Sequence, residues 1–273
     1  MTSADGKSGV SRRDGIKVIS TAFAATALAG GGSQFVAAQN ARRTFVLVHG
    51  AWHGGWVWRD VAPALRAMGH TVTTPTNTGL GERKHLLNDR ADLETHVEDI
   101  VSHIEMENLH DIDLVGWSYG GMVTTGVLAR VKDRIRSMIY LDAFVPEDGK
   151  ALVDYVDPDT RAIFDKGKAA DESLPPVPFE VFGVKNPEVV KFAGPRLARQ
   201  PWRSFYQPVK ALKFRPDIPY TYVRALGFDP SPFIYFYGEM KKDPKVKTIE
   251  LQGSHLCMLT ESQAVIDILL KTA

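Results

Sequence analysis

The 273-residue chain has one cysteine, no excess of either charge and no apolar run long enough to cross a bilayer as a helix. One cysteine excludes an internal disulfide and a zinc cluster built from thiolates. With 33 Lys and Arg against 32 Asp and Glu, the net charge of +1 provides no broad basic field, which argues against nucleic acid as a partner. A hydrophobic content of 44% excludes a wholly disordered chain.

Residues 1–38 differ from the rest of the chain and have the parts of an export signal. Basic residues precede a mildly apolar run, Val18–Ala29, and small residues follow it at Val36 and Ala38. This run is too short for a bilayer core of about 30 Å, so we expect no stable membrane anchor. The basic residues are Lys7, Arg12, Arg13 and Lys17.

The segment from Ser11 to Lys17 resembles the twin-arginine signal of bacteria, which exports folded proteins. It predicts the twin-arginine export machinery as a partner and a periplasmic or secreted location. An ordinary secretory signal and a disordered tail are the alternatives.

After residue 38, β-branched apolar runs alternate with helical patterns. This alternation predicts an α/β fold with a mostly parallel sheet flanked by helices. The predicted strands are Thr44–Val48, Thr71–Thr74, Ile112–Val115, Ser137–Leu141, Tyr220–Ala225 and Val246–Leu251. The predicted helices are Val57–Met68, Asp92–Met106, Met122–Val131 and Glu261–Lys271.

Residues 146–216 interrupt the alternation and contain ten of the sixteen prolines together with nine aromatic residues. Proline interrupts regular structure, whereas aromatic side chains require burial. The pattern therefore predicts a core formed by residues 39–145 and 217–273, with 146–216 inserted as a lid over an apolar pocket. The alternative is a proline-rich surface excursion without a role in binding.

The segment Gly116-Trp117-Ser118-Tyr119-Gly120-Gly121 follows a predicted strand and precedes a predicted helix. A serine between two such glycines is typical of a sharp strand-to-helix turn that exposes the hydroxyl above the sheet. Ser118 is therefore the candidate nucleophile. A glycine-rich turn with a solvated serine is the alternative reading.

A serine hydroxyl needs a base, and the base needs a carboxylate that fixes its tautomer. His255 follows the last predicted strand and is expected at the same sheet edge as Ser118. Asp229, just after the strand Tyr220–Ala225, is the first choice for the acid. Asp142 and Glu239 are the alternatives.

The reaction also needs amides that bind the oxyanion and side chains that bind the substrate. We expect the amides of Ala51 and Tyr119 to bind the oxyanion, with the Trp52 amide as a second choice for the loop donor. His49 is expected to order that loop. Trp52, Trp56 and Trp117 are the candidate substrate-binding residues.

Together these motifs resemble the α/β-hydrolase superfamily over about residues 43–271. One branch is especially similar: the plant methylesterases and hydroxynitrile lyases, with bacterial carboxylesterases of the pyrethroid-hydrolase type. The resemblance rests on Phe45–Trp56, 79–83, Gly116–Gly121, 141–146 and 253–259. It implies the α/β-hydrolase fold, a Ser-His-acid triad, a helical lid, no cofactor and no metal.

The lyases of this branch carry a threonine and a lysine where this chain has Gly50 and Leu256, so the resemblance favours ester hydrolysis. We therefore predict a carboxylic ester hydrolase acting on a small apolar or aryl ester through an acyl-enzyme. The alternatives are a lyase or a cofactor-free decarboxylase or dioxygenase on the same fold, and a ligand-binding protein without turnover. Cys257, near His255, is expected to be a buried thiol rather than a nucleophile.

Overall fold

The structure, a computed structural model, describes residues 42–88 and 90–272. The predicted export signal at residues 1–38 lies outside the described residues. The strands are β1 (Thr44–Val48), β2 (Thr71–Thr73), β3 (Ile112–Ser118), β4 (Ile135–Ala143), β5 (Tyr220–Ala225) and β6 (Val246–Leu251). The helices are α1 (Val61–Ala67), α2 (Leu93–Met106), α3 (Gly120–Val131), α4 (Pro158–Ala169), α5 (Pro187–Ala193), α6 (Arg203–Tyr206), α7 (Phe233–Lys241), α8 (Cys257–Thr260) and α9 (Ser262–Lys271).

The six strands form one sheet in the order β2-β1-β3-β4-β5-β6, and every neighbouring pair is parallel. The predicted fold class, a parallel sheet flanked by helices, is therefore confirmed. Because all the strands point the same way, their carboxyl ends meet at a single edge. In open α/β sheets this edge is where ligands bind.

Alternate side chains of the strands are buried on opposite faces of the sheet, as expected when helices cover both faces. In β1, Val46 joins a core that includes α2 and α3, whereas Phe45 and Leu47 join a core that includes α1 and α9. The two cores therefore pack on opposite faces of β1, β3 and β4.

Helix α2 shows how sequence sets a local boundary. Asp92 accepts a hydrogen bond from the Thr95 amide at 2.8 Å, which caps the first turn. The apolar residues of this helix recur at helical spacing and are buried against the core: Leu93, Val97, Ile100, Val101 and Ile104. Among the described residues, no helix combines the length and apolar character needed to cross a membrane.

The chain between β4 and β5 contains α4, α5 and α6 and carries the proline-rich segment. Leu174 and Gln200 form an isolated antiparallel bridge within it.

Candidate active site

Ser118 ends strand β3 one residue before Tyr119, which precedes helix α3. Its backbone has a φ of +56°, in the left-handed region that non-glycine residues rarely adopt. Strain of this kind is concentrated at functional sites. A Cβ atom built on Gly50 would lie 2.8 Å from the Cβ of Ser118, so the loop after β1 approaches the serine as closely as glycine allows.

The imidazole of His255 is 98% buried and is hydrogen-bonded through Nδ1 to Oδ2 of Asp142 at 2.7 Å. A carboxylate can only accept, so Nδ1 carries the proton and Nε2 of the neutral ring is left as an acceptor. Nε2 has no hydrogen-bond partner among residues 42–88 and 90–272. His255 and Ser118 line the same cavity.

Asp142 reaches His255 because of an irregularity in the pairing of β3 with β4. Trp117 pairs with Leu141 but Ser118 pairs with Ala143, so Asp142 is the extra residue of a bulge. Its φ is +44°. A bulge can redirect a side chain, and here the second carboxylate oxygen accepts the Ala225 amide of β5 at 3.1 Å. Both oxygens of this fully buried carboxylate are thus used.

The prediction that Asp229 is the acid is corrected by this geometry, which pairs His255 with the alternative, Asp142. Asp229 lies in an exposed turn after β5, where the chain continues through a cis peptide bond to Pro230. Glu239, the third choice, is bonded to Lys242 at 2.5 Å on the outside of α7. A buried histidine is therefore paired with the carboxylate that is itself buried.

Aromatic rings surround the histidine and leave it little room to rotate. The rings of Phe182, Phe228 and Phe233 lie with their centroids 5.2, 4.9 and 5.1 Å from the ring of His255. From the other side, Nε1 of Trp117 donates to the His255 carbonyl oxygen at 2.8 Å. The orientation of the imidazole is thereby fixed by packing as well as by Asp142.

Two backbone amides are available for the oxyanion, those of Ala51 and Tyr119. Neither donates to an acceptor within the described parts of the chain. In a trans peptide the N–H points away from the C=O of the same unit. The Gly50 carbonyl, in the same peptide unit as the Ala51 amide, accepts a hydrogen bond from Nδ1 of His49 at 2.8 Å. The Ser118 carbonyl, in the same unit as the Tyr119 amide, accepts one from the Phe144 amide at 3.2 Å. Each candidate donor is thus oriented through its own peptide carbonyl.

His49 orders the loop after β1, as its position suggested. Burial lowers its pKa to about 4, so the ring is neutral near pH 7. Nε2 then accepts the Asn77 amide at 3.1 Å while Nδ1 donates to the loop. The amide of Trp52, our second choice as oxyanion donor, instead donates to Oε1 of Gln200 at 2.9 Å.

The shared cavity has a volume of about 450 Å³, within the range of small-molecule sites. Apart from Ser118, His255, Thr160 and Asp157, it is lined by apolar and aromatic residues. Much of this lining comes from the chain between β4 and β5, from side chains within 152–164 and 174–182 and from Phe205. Trp52 also lines it.

The assignment of Trp56 and Trp117 to substrate binding is corrected, because neither lines this cavity. Trp56 packs its ring against His53 and Phe192 beside the loop. Trp117 lies beneath the histidine, with 1% of its surface exposed. Both side chains point away from the cavity. Around a turn, the direction of each side chain depends on the backbone conformation, which the sequence pattern does not specify.

Cys257 is fully buried in helix α8, and burial raises the pKa of its thiol well above the usual range. It therefore remains a neutral thiol and not a nucleophile at ordinary pH. Gln200 is the residue that sequence reasoning missed. It lies 148 positions from Trp52, and no local motif marks it.

The arrangement has the parts of a nucleophilic acyl-transfer site. A strained serine shares an apolar cavity with a histidine that is oriented by a buried carboxylate, and two free amides flank the serine. Such a group can attack a carbonyl carbon, hold the resulting oxyanion and return a proton to the leaving group.

Comparison with known proteins gives the same family from sequence and from fold. The model of the alpha/beta hydrolase family matches residues 45–268. A carbendazim-hydrolyzing esterase from Nocardioides sp. is 45% identical over 231 residues, which cover 79% of this chain and 93% of that protein. Methylesterase 2 of Arabidopsis thaliana is 32% identical over 108 residues, 39% of this chain and 41% of that protein. An extracellular α/β-hydrolase from a Paenibacillus species superposes with a TM-score of 0.74 at 26% identity, covering 85% of this chain and 99% of that chain.

Proposed function

This chain belongs to the α/β hydrolase family as an esterase-type carboxylic ester hydrolase, and from that premise we propose that it is a serine esterase acting on neutral apolar or aryl esters. One observation carries the proposal. His255 is held by a buried carboxylate at 2.7 Å, and it shares an apolar cavity with a serine in a strained turn. These three features are what nucleophilic catalysis by a serine needs: a hydroxyl held at a turn, an oriented base and a cavity for the substrate.

In the proposed reaction, Nε2 of His255 takes the proton of Ser118 as Oγ bonds to the ester carbonyl carbon. The amides of Ala51 and Tyr119 hold the oxyanion, and the negative charge of Asp142 stabilises the imidazolium. The bond to the alcohol oxygen then breaks, and that oxygen takes the proton back from Nε2. Water, deprotonated by the same nitrogen, then adds to the acyl carbon. The bond to Oγ breaks, Oγ takes the proton back from Nε2, and the acid leaves.

The substrate class follows from the lining of the cavity. Asp157 carries the one carboxylate among the lining residues that the structure describes, and it is exposed at the rim. No lysine or arginine is present there to pair with an anionic substrate. Burying an unpaired carboxylate or phosphate among apolar rings is costly, so neutral esters are favoured.

We further propose that residues 146–216 act as a lid on this cavity. The support is that α4 and the segment 174–182 supply lining residues, among them Ile163 and Val181, which are 61% and 54% exposed. Exposed apolar side chains at a cavity rim provide an entry surface for apolar molecules.

A panel of neutral 4-nitrophenyl and methyl esters, with carbendazim as a flat aryl member, tests the activity. We expect a burst of 4-nitrophenol followed by steady turnover, and the burst should vanish in Ser118→Ala. The matched control Ser102→Ala removes an exposed hydroxyl that bonds Glu98 on helix α2 and should behave like wild type. Undiminished turnover by Ser118→Ala would refute the serine mechanism.

We also propose export through the twin-arginine route to the periplasm or the medium. The support is the sequence alone: paired arginines, a short apolar run and small residues at Val36 and Ala38. Fractionation of bacteria that express the full chain should recover a shortened protein outside the cytoplasm. The double change Arg12→Lys, Arg13→Lys should retain it in the cytoplasm, and equal export of both forms would rule out this route.

A further inference from the structure

Trp52 connects the loop after β1 to the chain between β4 and β5 through all its polar groups. Its amide donates to Oε1 of Gln200 at 2.9 Å, and its carbonyl accepts the Ala198 amide at 2.9 Å. Its indole Nε1 donates to the Leu174 carbonyl at 3.3 Å. All three partners belong to the predicted lid.

This residue is also in a conformation that needs support. Trp52 has a φ of +63°, which a bulky side chain adopts only when its surroundings impose it. The ring is 93% buried, and it packs edge-on against Phe205 with the centroids 5.7 Å apart. The hydrogen bonds and the packing come from the same segment, so the conformation of the loop depends on that segment.

The orientation of the Gln200 side chain toward Trp52 is fixed by further hydrogen bonds. It is fully buried, and its backbone exchanges hydrogen bonds with Leu174 at 2.7 and 2.9 Å. Its Nε2 donates to Oγ of Ser204 at 2.7 Å, which fixes the amide so that Oε1 faces Trp52. A side chain with both ends bonded has one orientation available.

Ala51 immediately precedes Trp52, and its amide is one of the two proposed oxyanion donors. The peptide before it is oriented by His49. The peptide after it is held at both ends: the Trp52 amide donates to Gln200, and the Ala51 carbonyl accepts Nδ1 of His53 at 2.6 Å. We propose that Gln200 is a positioning residue that couples lid placement to the oxyanion hole, so that the Ala51 amide is correctly aimed only when the lid is seated. This inference rests on the proposed function.

The test compares Gln200→Met, which keeps the length and packing but has no acceptor, with Gln200→Glu, which keeps an acceptor at the same place. In Gln200→Met the Ala51 amide should be misaligned with the oxyanion, which should lower kcat about 10- to 100-fold. Removing an oxyanion donor altogether lowers kcat about 100- to 1,000-fold. KM should stay within about threefold, because the cavity lining is unchanged. Gln200→Glu should recover most of the lost kcat.

An aryl trifluoromethyl ketone provides a second readout, because Ser118 adds to it and forms an oxyanion. Its affinity should fall by the same factor as kcat in Gln200→Met. The affinity of the unfluorinated ketone, which is too weak an electrophile to form the adduct, should not change. A purely structural role would lower the melting temperature without separating the two ketones.

Gln207→Met is the matched control. Gln207 also lies in the predicted lid, and its Oε1 also accepts a core amide, that of Glu94, at 2.6 Å. It does not line the cavity, so its loss should reduce stability and leave kcat and both ketone affinities unchanged.

The inference would be overturned if folded Gln200→Met kept the wild-type kcat and the wild-type affinities for both ketones. If that variant does not fold, Gln200→Asn decides the matter in the same way, since its shorter side chain cannot reach Trp52. Absence of ester hydrolysis by the wild type itself would instead overturn the proposed function, and this inference with it.

Discussion

At the scale of single residues, the site depends on three backbones in the left-handed region: Trp52, Ser118 and Asp142, with φ of +63°, +56° and +44°. Each of these conformations orients a different part of the site: Trp52 the loop with the proposed oxyanion donor, Ser118 the nucleophile and Asp142 the acid. Such strain persists only where surrounding structure imposes it. Here hydrogen bonds supply that constraint: those of Trp52 to the predicted lid, that of the Ser118 carbonyl to the Phe144 amide, and those of Asp142 to His255 and Ala225.

The pairing of His255 with Asp142 predicts a large effect from one amide substitution. Asp142→Asn should lower kcat by about 1,000- to 10,000-fold, because an amide cannot hold the imidazole in the required tautomer or stabilise its charge. KM should change little. Steady-state hydrolysis of a 4-nitrophenyl ester measures both constants.

Asp229→Asn is the matched control, because it makes the same change in an exposed turn beyond β5. It should retain wild-type kcat. The reverse result, with Asp229→Asn inactive and Asp142→Asn active, would contradict the assignment of the acid.

At the scale of elements, the turn from β3 to α3 brings the nucleophile to the edge of the sheet. Helix α3 begins so close to β1 that a Cβ on Gly120 would lie 2.7 Å from the Val48 carbonyl oxygen and 2.8 Å from that of His49. These are backbone atoms of a buried strand end, so they cannot move aside cheaply. The helix can reach this position only with glycine.

Gly120→Ala is therefore expected to destabilise the fold by about 1–3 kcal/mol through overpacking. It should also reduce kcat more than tenfold, because the shifted turn carries Ser118. Urea unfolding and ester hydrolysis measure the two effects.

Gly238→Ala provides the comparison, because Gly238 lies within helix α7 and a Cβ there would meet no atom within 4 Å. It should leave activity unchanged and stabilise the protein by about 0.5–1 kcal/mol through helix propensity. Equal effects of the two substitutions would show that the approach of α3 to β1 is not tight.

The elements show which features sequence can predict. The apolar runs of β1 and β5 predicted their bounds as the structure has them, because burial on both faces leaves a local signal. The bounds of β6 were also predicted, although this edge strand is exposed in its middle. Ser118 ends β3 and His255 follows β6, and the parallel sheet brings them to one cavity. Asp142 could not be preferred to Asp229, because its direction depends on a bulge in the register between β3 and β4. No local pattern encodes that register.

Long-range contacts were equally beyond sequence. Trp56 and Trp117 belong to aromatic-rich motifs, but the turn directs their rings into the protein instead of into the cavity. Gln200 contacts Trp52 only because the predicted lid folds back over the loop. Such pairings depend on tertiary structure and not on neighbouring residues.

At the scale of the whole molecule, burial of neutral histidines links folding to pH. His49, His53 and His96 are buried, and burial lowers their pKa values to about 4, 3 and 4. In the unfolded chain each titrates near 6.5. Below that pH the unfolded state binds more protons than the folded state, so stability falls as the pH falls.

The free energy of unfolding should be highest above about pH 6.5 and decline from there towards pH 4. Each buried histidine should contribute about 1.4 kcal/mol per pH unit within this window. Urea unfolding at pH 7.5, 6.0, 5.5 and 5.0 measures the slope. His53→Gln should reduce it, whereas His110→Gln, an exposed control, should not. A stability that does not change between pH 7.5 and 5.0 would contradict this account.

The central claim is that the hydroxyl of Ser118 forms a covalent intermediate with the help of His255. Intact-mass and peptide mass spectrometry after exposure to a 4-nitrophenyl phosphonate tests it most directly. The account predicts one phosphonyl group, attached to the peptide that contains Ser118, with no adduct in Ser118→Ala and greatly slowed labelling in His255→Ala. A stoichiometric adduct on another residue, or equal labelling of Ser118→Ala, would contradict it.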